Sequence, residues 1–87
     1  MSPMSILKAS LAHWHAEEAE ASAVLEMYLN NVVGVPSHPD LMKDFNSYVC
    51  RLSSARENIQ TVESFISQVE MQLAPKRTPP AQPGSTP

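Results

Sequence analysis

The sequence predicts an all-α fold: an antiparallel two-helix hairpin with coiled-coil-like packing, completed by oligomerisation or by a partner and followed by a disordered proline-rich tail. Apolar residues recur at alternating intervals of four and three along two long segments, the pattern of helices packed along a seam. One short stretch with glycine and prolines separates the segments. Five of the eight prolines fall in the last thirteen residues, so we expect the hairpin over 1–74 and the tail over 75–87.

The first helix is expected over about residues 4–33. Ser2-Pro3 or Ser5 can begin it, because a serine hydroxyl caps a helix and proline is tolerated in the first turn. No glycine or further proline interrupts this segment. Its seam positions are Leu7, Leu11, Trp14, Glu18, Ala21, Leu25, Tyr28 and Val32, of which only the glutamate is polar.

The turn is expected at residues 34–37 and the second helix over about 38–74. Gly34 can take the left-handed conformation that ends a helix, and Pro36 cannot continue one. Ser37 can cap the helix that follows. The seam positions of this helix are Leu41, Phe45, Tyr48, Leu52, Ala55, Ile59, Val62, Ile66, Val69 and Leu73.

The two seams can be paired residue by residue. In an antiparallel hairpin the numbers of facing residues add up to a constant, and Trp14 with Ile59 gives the same sum as Leu25 with Tyr48. The pairing predicts a hairpin roughly 45–50 Å long, at a rise of about 1.5 Å per residue. The residues assigned to the hairpin seam are Leu11, Trp14, Leu25, Tyr28, Phe45, Tyr48, Leu52, Ile59, Val62 and Ile66.

A second set of apolar residues lies off the seam on both helices. A core this small supplies roughly 3–5 kcal/mol, so such a fold usually needs a disulfide, a metal or a partner. The one cysteine, Cys50, cannot form an internal disulfide. We therefore predict a protein–protein assembly module whose partner is another helical protein or a further copy of the chain. The residues assigned to its partner-binding stripe are Val24, Met27, Met42, Val49 and Phe65.

Charge and composition exclude most other functions. Residues 1–74 carry nine acidic and four basic side chains, and the whole chain has a net charge of −3. Binding to nucleic acid or to anionic membranes needs clustered lysine and arginine, so neither is expected. The sequence contains no run of 18 apolar residues, so membrane insertion is not expected. The lone cysteine and the absence of a Sec-type signal predict a cytoplasmic protein, exported by a non-Sec route if it is a secretion-apparatus subunit.

No catalytic residue, metal site, cofactor or small-molecule substrate is expected. His13 and His15 are two residues apart and point in different directions on a helix, so they cannot share a metal ion. A metal-dependent enzyme would need tight binding by His13, His15 or Glu17, and two ligands do not make a site. Glu18 interrupts the seam, and we expect its carboxylate to reach Arg56 and set the register of the helices.

The tail raises an alternative function. Residues 77–83 spell R-x-x-P-x-x-P, the spacing of ligands for SH3 domains, although a proline-rich segment produces it easily by chance. The alternative is a stand-alone adaptor that dimerises through its helices and recruits a partner through the tail. Truncation after Ala74 would separate the two functions.

Residues 36–49 resemble the connection between the two helices of type III secretion needle subunits. Those proteins have a P-S-x-P-x-L-L turn followed by an aromatic-Gln pair; residues 36–42 here read PSHPDLM, Phe45-Asn46 follows, and Arg56 falls at an often basic position. The resemblance implies a helical hairpin that polymerises through exposed faces. The small co-chaperones that hold needle subunits before export are similar hairpins, and a free tail suits them better.

Overall fold

The protein is a hairpin of two long α-helices. The computed structural model describes residues 1–31 and 39–73. Within these ranges α1 spans Pro3–Asn30 and α2 spans Pro39–Leu73, and neither range contains a strand. The two helices pack against each other in antiparallel order, so the predicted all-α helical hairpin is confirmed.

The start of α1 follows from a serine cap. Ser2 has extended backbone angles, φ −85° and ψ 156°, and its hydroxyl accepts a hydrogen bond from the Ser5 amide at 3.1 Å. Pro3 occupies the first helical position, where its missing N–H group leaves no hydrogen bond unmade. Of the two starts that the sequence allowed, the structure uses Ser2-Pro3.

The end of α1 comes earlier than the expected end near residue 33. Asn31 leaves the helical conformation, with φ −111° and ψ 10°, while its backbone N–H still donates to the carbonyls of Met27 and Tyr28. Its side-chain amide also donates to the Met27 carbonyl, at 2.7 Å. This asparagine therefore satisfies carbonyls that would otherwise be unpaired at a helix terminus, and α1 ends at Asn30.

The second helix closely follows its expected range of 38–74. It runs from Pro39 to Leu73, and no glycine or proline interrupts its interior. The expected turn at 34–37 and the expected tail at 75–87 lie outside the described residues.

The helices meet along the alternating four-and-three seam. Tyr28 and Phe45, a pair given by the antiparallel pairing, have ring centroids 6.0 Å apart in an edge-to-face arrangement. The buried hydrophobic residues are Ala21, Leu25, Ala55, Ile59 and Val62. The other residues assigned to the seam are half-buried, namely Leu11, Trp14, Tyr28, Phe45, Tyr48, Leu52 and Ile66.

The seam ends where α1 begins. Leu73 is 72% exposed although it continues the pattern of α2. In the antiparallel pairing Val69 faces Met4, and both are half-buried, but no residue of α1 lies opposite Leu73. The last turn of α2 therefore extends past the end of its neighbour.

Candidate functional site

An arginine and two glutamates mark one side of the hairpin. Nη2 of Arg51 on α2 donates to both carboxylate oxygens of Glu17 on α1, at 3.2 and 3.0 Å, and to Oε2 of Glu20 at 3.1 Å. The hydrogen bond with Glu17 raises the pKa of Arg51 above its ordinary value, with a further contribution from Glu20 and partial opposition from desolvation. The guanidinium also lies 5.1 Å from the ring centroid of Tyr48. We call this flank of the hairpin the Arg51 side.

A second ion pair marks the opposite side. Nε of Arg56 donates to Oε2 of Glu18 at 3.3 Å, and Nδ1 of His15 lies 3.6 Å from Oε1 of the same carboxylate. The predicted contact between the seam glutamate and Arg56 is therefore present. Arg51 and Arg56 are five residues apart, which places them about 140° apart around α2. We call this second flank the Arg56 side.

The residues assigned to the partner-binding stripe of α2 divide between the two flanks. Residues seven apart lie within about 20° of each other around an α-helix, and residues fourteen apart within about 40°. Phe65 lies fourteen residues after Arg51, whereas Val49 and Met42 lie seven and fourteen residues before Arg56. Val49 and Phe65 thus point about 160° apart. The residues of α2 assigned to the partner-binding stripe therefore lie on two flanks, and their part in partner binding stays a prediction.

The assigned residues of α1 belong to the Arg51 side. Val24 lies seven residues after Glu17, and Met27 lies seven residues after Glu20. Val24 is half-buried, whereas Met27 is 64% exposed. The two line a groove of about 390 Å³ near the end of α1, together with Tyr28, Asn31 and Tyr48.

The far end of the Arg51 side carries a second apolar group. Phe65 is 51% exposed and Ile6 is 53% exposed. Ile6 lies fourteen residues before Glu20, so it shares the face of α1 that carries Glu20 and Met27. The sequence also places Ile6 off the seam, but it is not among the residues assigned to the partner-binding stripe.

The Arg56 side carries exposed apolar residues towards both ends. Met42 and Val49 are exposed near the start of α2, and so is Leu29, fourteen residues after His15. Met71, twenty-nine residues after Met42 and about 20° from it around the helix, is exposed near the end of α2. A depression of about 270 Å³ on this side is lined by Val49, Leu52, Ser53, Arg56, Glu57 and Gln60. Leu29 was also absent from the predicted set.

The candidate metal ligands do not converge. No group of three or more histidine, cysteine, aspartate or glutamate side chains in residues 1–31 and 39–73 is arranged to hold a metal ion. The His13 ring packs edge-to-face on Trp14, with centroids 4.6 Å apart, while His15 contacts Glu18. Cys50 is an exposed free thiol. Neither α1 nor α2, as far as the described residues extend, is long and apolar enough to cross a membrane.

Comparison with known proteins gives no assignment. No protein-family model, no curated protein and no solved structure matches the chain. The likeness to needle subunits and their co-chaperones thus stays a prediction. Of the residues behind it, Phe45 packs in the seam and Arg56 binds Glu18, whereas 32–38 lie outside the described part of the chain.

Proposed function

We propose that the protein is a non-enzymatic assembly module, a small structural subunit or co-chaperone of a type III secretion-like apparatus that packs through exposed apolar helix faces. The observation behind this proposal is the imbalance between buried and exposed apolar residues. In the ranges that the structure describes, residues 1–31 and 39–73, five hydrophobic residues are buried, two of them alanines. The exposed large hydrophobic residues are Met1, Ile6, Met27, Leu29, Met42, Val49, Phe65, Met71 and Leu73.

The energetics favour association. Burying one side chain of the size of leucine or phenylalanine stabilises a protein by roughly 1.5–3 kcal/mol. Two helices shield only their mutual face, so most of this stabilisation is unused in the isolated hairpin. An apolar patch bordered by charged groups is typical of an interaction surface, and the Arg51 and Arg56 sides both fit that description.

Two opposite flanks suit a subunit that contacts two neighbours. A polymer subunit needs two surfaces, whereas a chaperone that holds one client needs only one. The assignment to a secretion apparatus rests on the resemblance of residues 36–49. A cytoplasmic location, with export by a non-Sec route, is part of the same proposal.

Native mass spectrometry of the tagged chain isolated from its producing cells tests the proposal, because it gives both the stoichiometry and the identity of the components. We expect a stoichiometric complex with small helical proteins. Phe65→Glu combined with Val49→Lys should abolish this complex while circular dichroism stays nearly unchanged. A chain that is isolated alone and stays monomeric at high concentration would contradict the proposal.

Two further variants identify the source of any loss. Ile59→Glu places a charge in the seam and should unfold the hairpin, which separates a folding defect from a binding defect. Truncation after Ala74 should leave the complex intact. Loss of the partner on truncation would instead favour the adaptor function of the tail.

A further inference from the structure

We propose that a second copy of this chain covers the Arg51 side, with the two hairpins antiparallel about a two-fold axis. This inference rests on the proposed assembly function and names the partner for one of its two flanks.

A row of residues on α1 is complementary to itself. Ile6, His13, Glu20 and Met27 follow one another at intervals of seven, and all four are exposed. The row reads apolar, basic, acidic, apolar. When a second copy lies antiparallel on this face, each isoleucine meets a methionine and each histidine meets a glutamate. A two-fold axis produces such reciprocal pairs because the same patch is used by both partners.

The carboxylates at the centre of this face can accept a further hydrogen bond from a donor outside the hairpin. Two carboxylates, Glu17 and Glu20, share the single guanidinium of Arg51, so the cluster keeps one negative charge in excess. In the antiparallel dimer His13 of the second copy lies opposite Glu20. An imidazole N–H there can donate to the carboxylate, and protonated histidine would also neutralise it.

The α2 half of the face pairs a projecting aromatic ring with a groove. Phe65 projects at one end, and the groove lined by Val24 and Tyr48 lies at the other. Tyr48 and Phe65 are separated by roughly 25 Å along the helix. A two-fold axis midway between them places each phenylalanine at the groove of the other copy.

The size of this face agrees with a weak dimer. The matched region is roughly 30 Å long and 20 Å wide, given the helix rise and the spacing of two packed helices. That is about 600 Å² per copy, compared with about 800 Å² in an average stable interface. We therefore expect a dimer that forms in a concentration-dependent way.

Disulfide trapping tests the geometry in the full-length chain with Cys50→Ser. Ile6→Cys and Met27→Cys are introduced in separate chains, which are mixed and mildly oxidised. The mixture should give a cross-linked dimer, while each variant alone should not, because equivalent positions lie far apart. Equal cross-linking of Ile6→Cys with itself would overturn the proposal.

A single polypeptide that carries both Ile6→Cys and Met27→Cys distinguishes a closed dimer from an open-ended polymer of hairpins. The two thiols of one hairpin are roughly 30 Å apart and cannot bond to each other. A two-fold arrangement gives covalent dimers only. A ladder of higher species would mean head-to-tail packing and would overturn the two-fold axis.

Sedimentation equilibrium provides the second test. Phe65→Glu should raise the dimer dissociation constant by at least about tenfold, since it places a charge at an apolar contact. The matched control is Met71→Glu, another exposed apolar residue of α2 that lies off this face; its constant should stay near that of the unchanged chain. Equal effects of the two variants would overturn the proposal.

The failure of this inference can be told apart from failure of the proposed function. A monomeric chain that still forms a stoichiometric complex with other helical proteins contradicts only the second copy. A monomeric chain without any complex contradicts both.

Discussion

Two alanines set how closely the helices approach at the middle of the seam. Ala21 and Ala55 have no exposed surface, and the antiparallel pairing places Leu52 opposite the first and Glu18 opposite the second. Small residues facing large ones let the side chains interlock. The seam therefore has no room for a larger residue at these levels.

Ala21→Leu is expected to destabilise the hairpin by about 1–3 kcal/mol, because extra methylene groups at a filled position force the helices apart. Urea unfolding followed by circular dichroism measures this loss. The matched control is Ala23→Leu, since Ala23 is exposed on the same helix and should tolerate the change. Equal stability of the two variants would mean that the seam is loosely packed.

Glu18 fixes the register of the two helices at some cost to the stability of the hairpin. Its side chain is 31% exposed and reaches from the seam to Arg56. Glu18→Leu is expected to stabilise the hairpin by about 1 kcal/mol, because an apolar residue at a seam position often outperforms a partly buried ion pair. Chemical denaturation measures the change.

The control for this substitution is Arg56→Ala, which removes the same ion pair without filling the seam. A surface pair of this kind contributes about 0–1 kcal/mol, so a small loss is expected. Marked destabilisation by Glu18→Leu would show that the carboxylate does more than fix the register.

At the scale of the helices, the beginning of α1 depends on one hydroxyl. Ser2→Ala removes the acceptor for the Ser5 amide and should cost about 0.5–2 kcal/mol of local helix stability. Hydrogen exchange should show faster exchange in the first turn while the seam near Leu25 remains protected. Ser5→Ala is the control, since it keeps the backbone amide that donates to the Ser2 hydroxyl and loses only the contact between the two hydroxyls. Unchanged exchange in Ser2→Ala would mean that another group caps the helix.

At the scale of the whole molecule, the poorly buried hairpin should gain stability from association. Binding that occurs only in the folded state raises the melting temperature with concentration. We expect the melting temperature of the chain to rise over a hundredfold increase in protein concentration. In Phe65→Glu this rise should be lost, whereas in Met71→Glu it should persist. A melting temperature independent of concentration in the unchanged chain would mean that the hairpin is stable by itself.

The sequence predicted those contacts of the site that follow from the pattern of neighbouring residues, and it missed those that depend on the packing of the two helices. The contact of Glu18 with Arg56 was predictable, because a charged residue within an apolar seam has to reach a cation near its own level. The contacts of Arg51 with Glu17 and Glu20 were missed. The sequence alone indicates that these glutamates belong to a charged surface of α1. Only the packing of α2 against α1 places a guanidinium between them.

The sequence by itself determined that the chain forms two helices and which face of each one packs. Apolar spacing and the positions of proline are local properties, and the antiparallel pairing that places Ala21 opposite Leu52 matches a small residue with a large one. The end of α1 was less predictable, because the side chain and backbone of Asn31 together decide it.

Only the tertiary structure decided which residues of the two helices share each flank. Val49 and Phe65 both lie off the seam, and spacing along one helix does not say which residues of the neighbour border each of them. Packing placed Glu17 of α1 beside Arg51, on the flank that carries Phe65, and Glu18 beside Arg56, on the flank that carries Val49. The physical reason is that the neighbouring helix divides the outer surface into two flanks, and the composition of each depends on residues far apart in the chain.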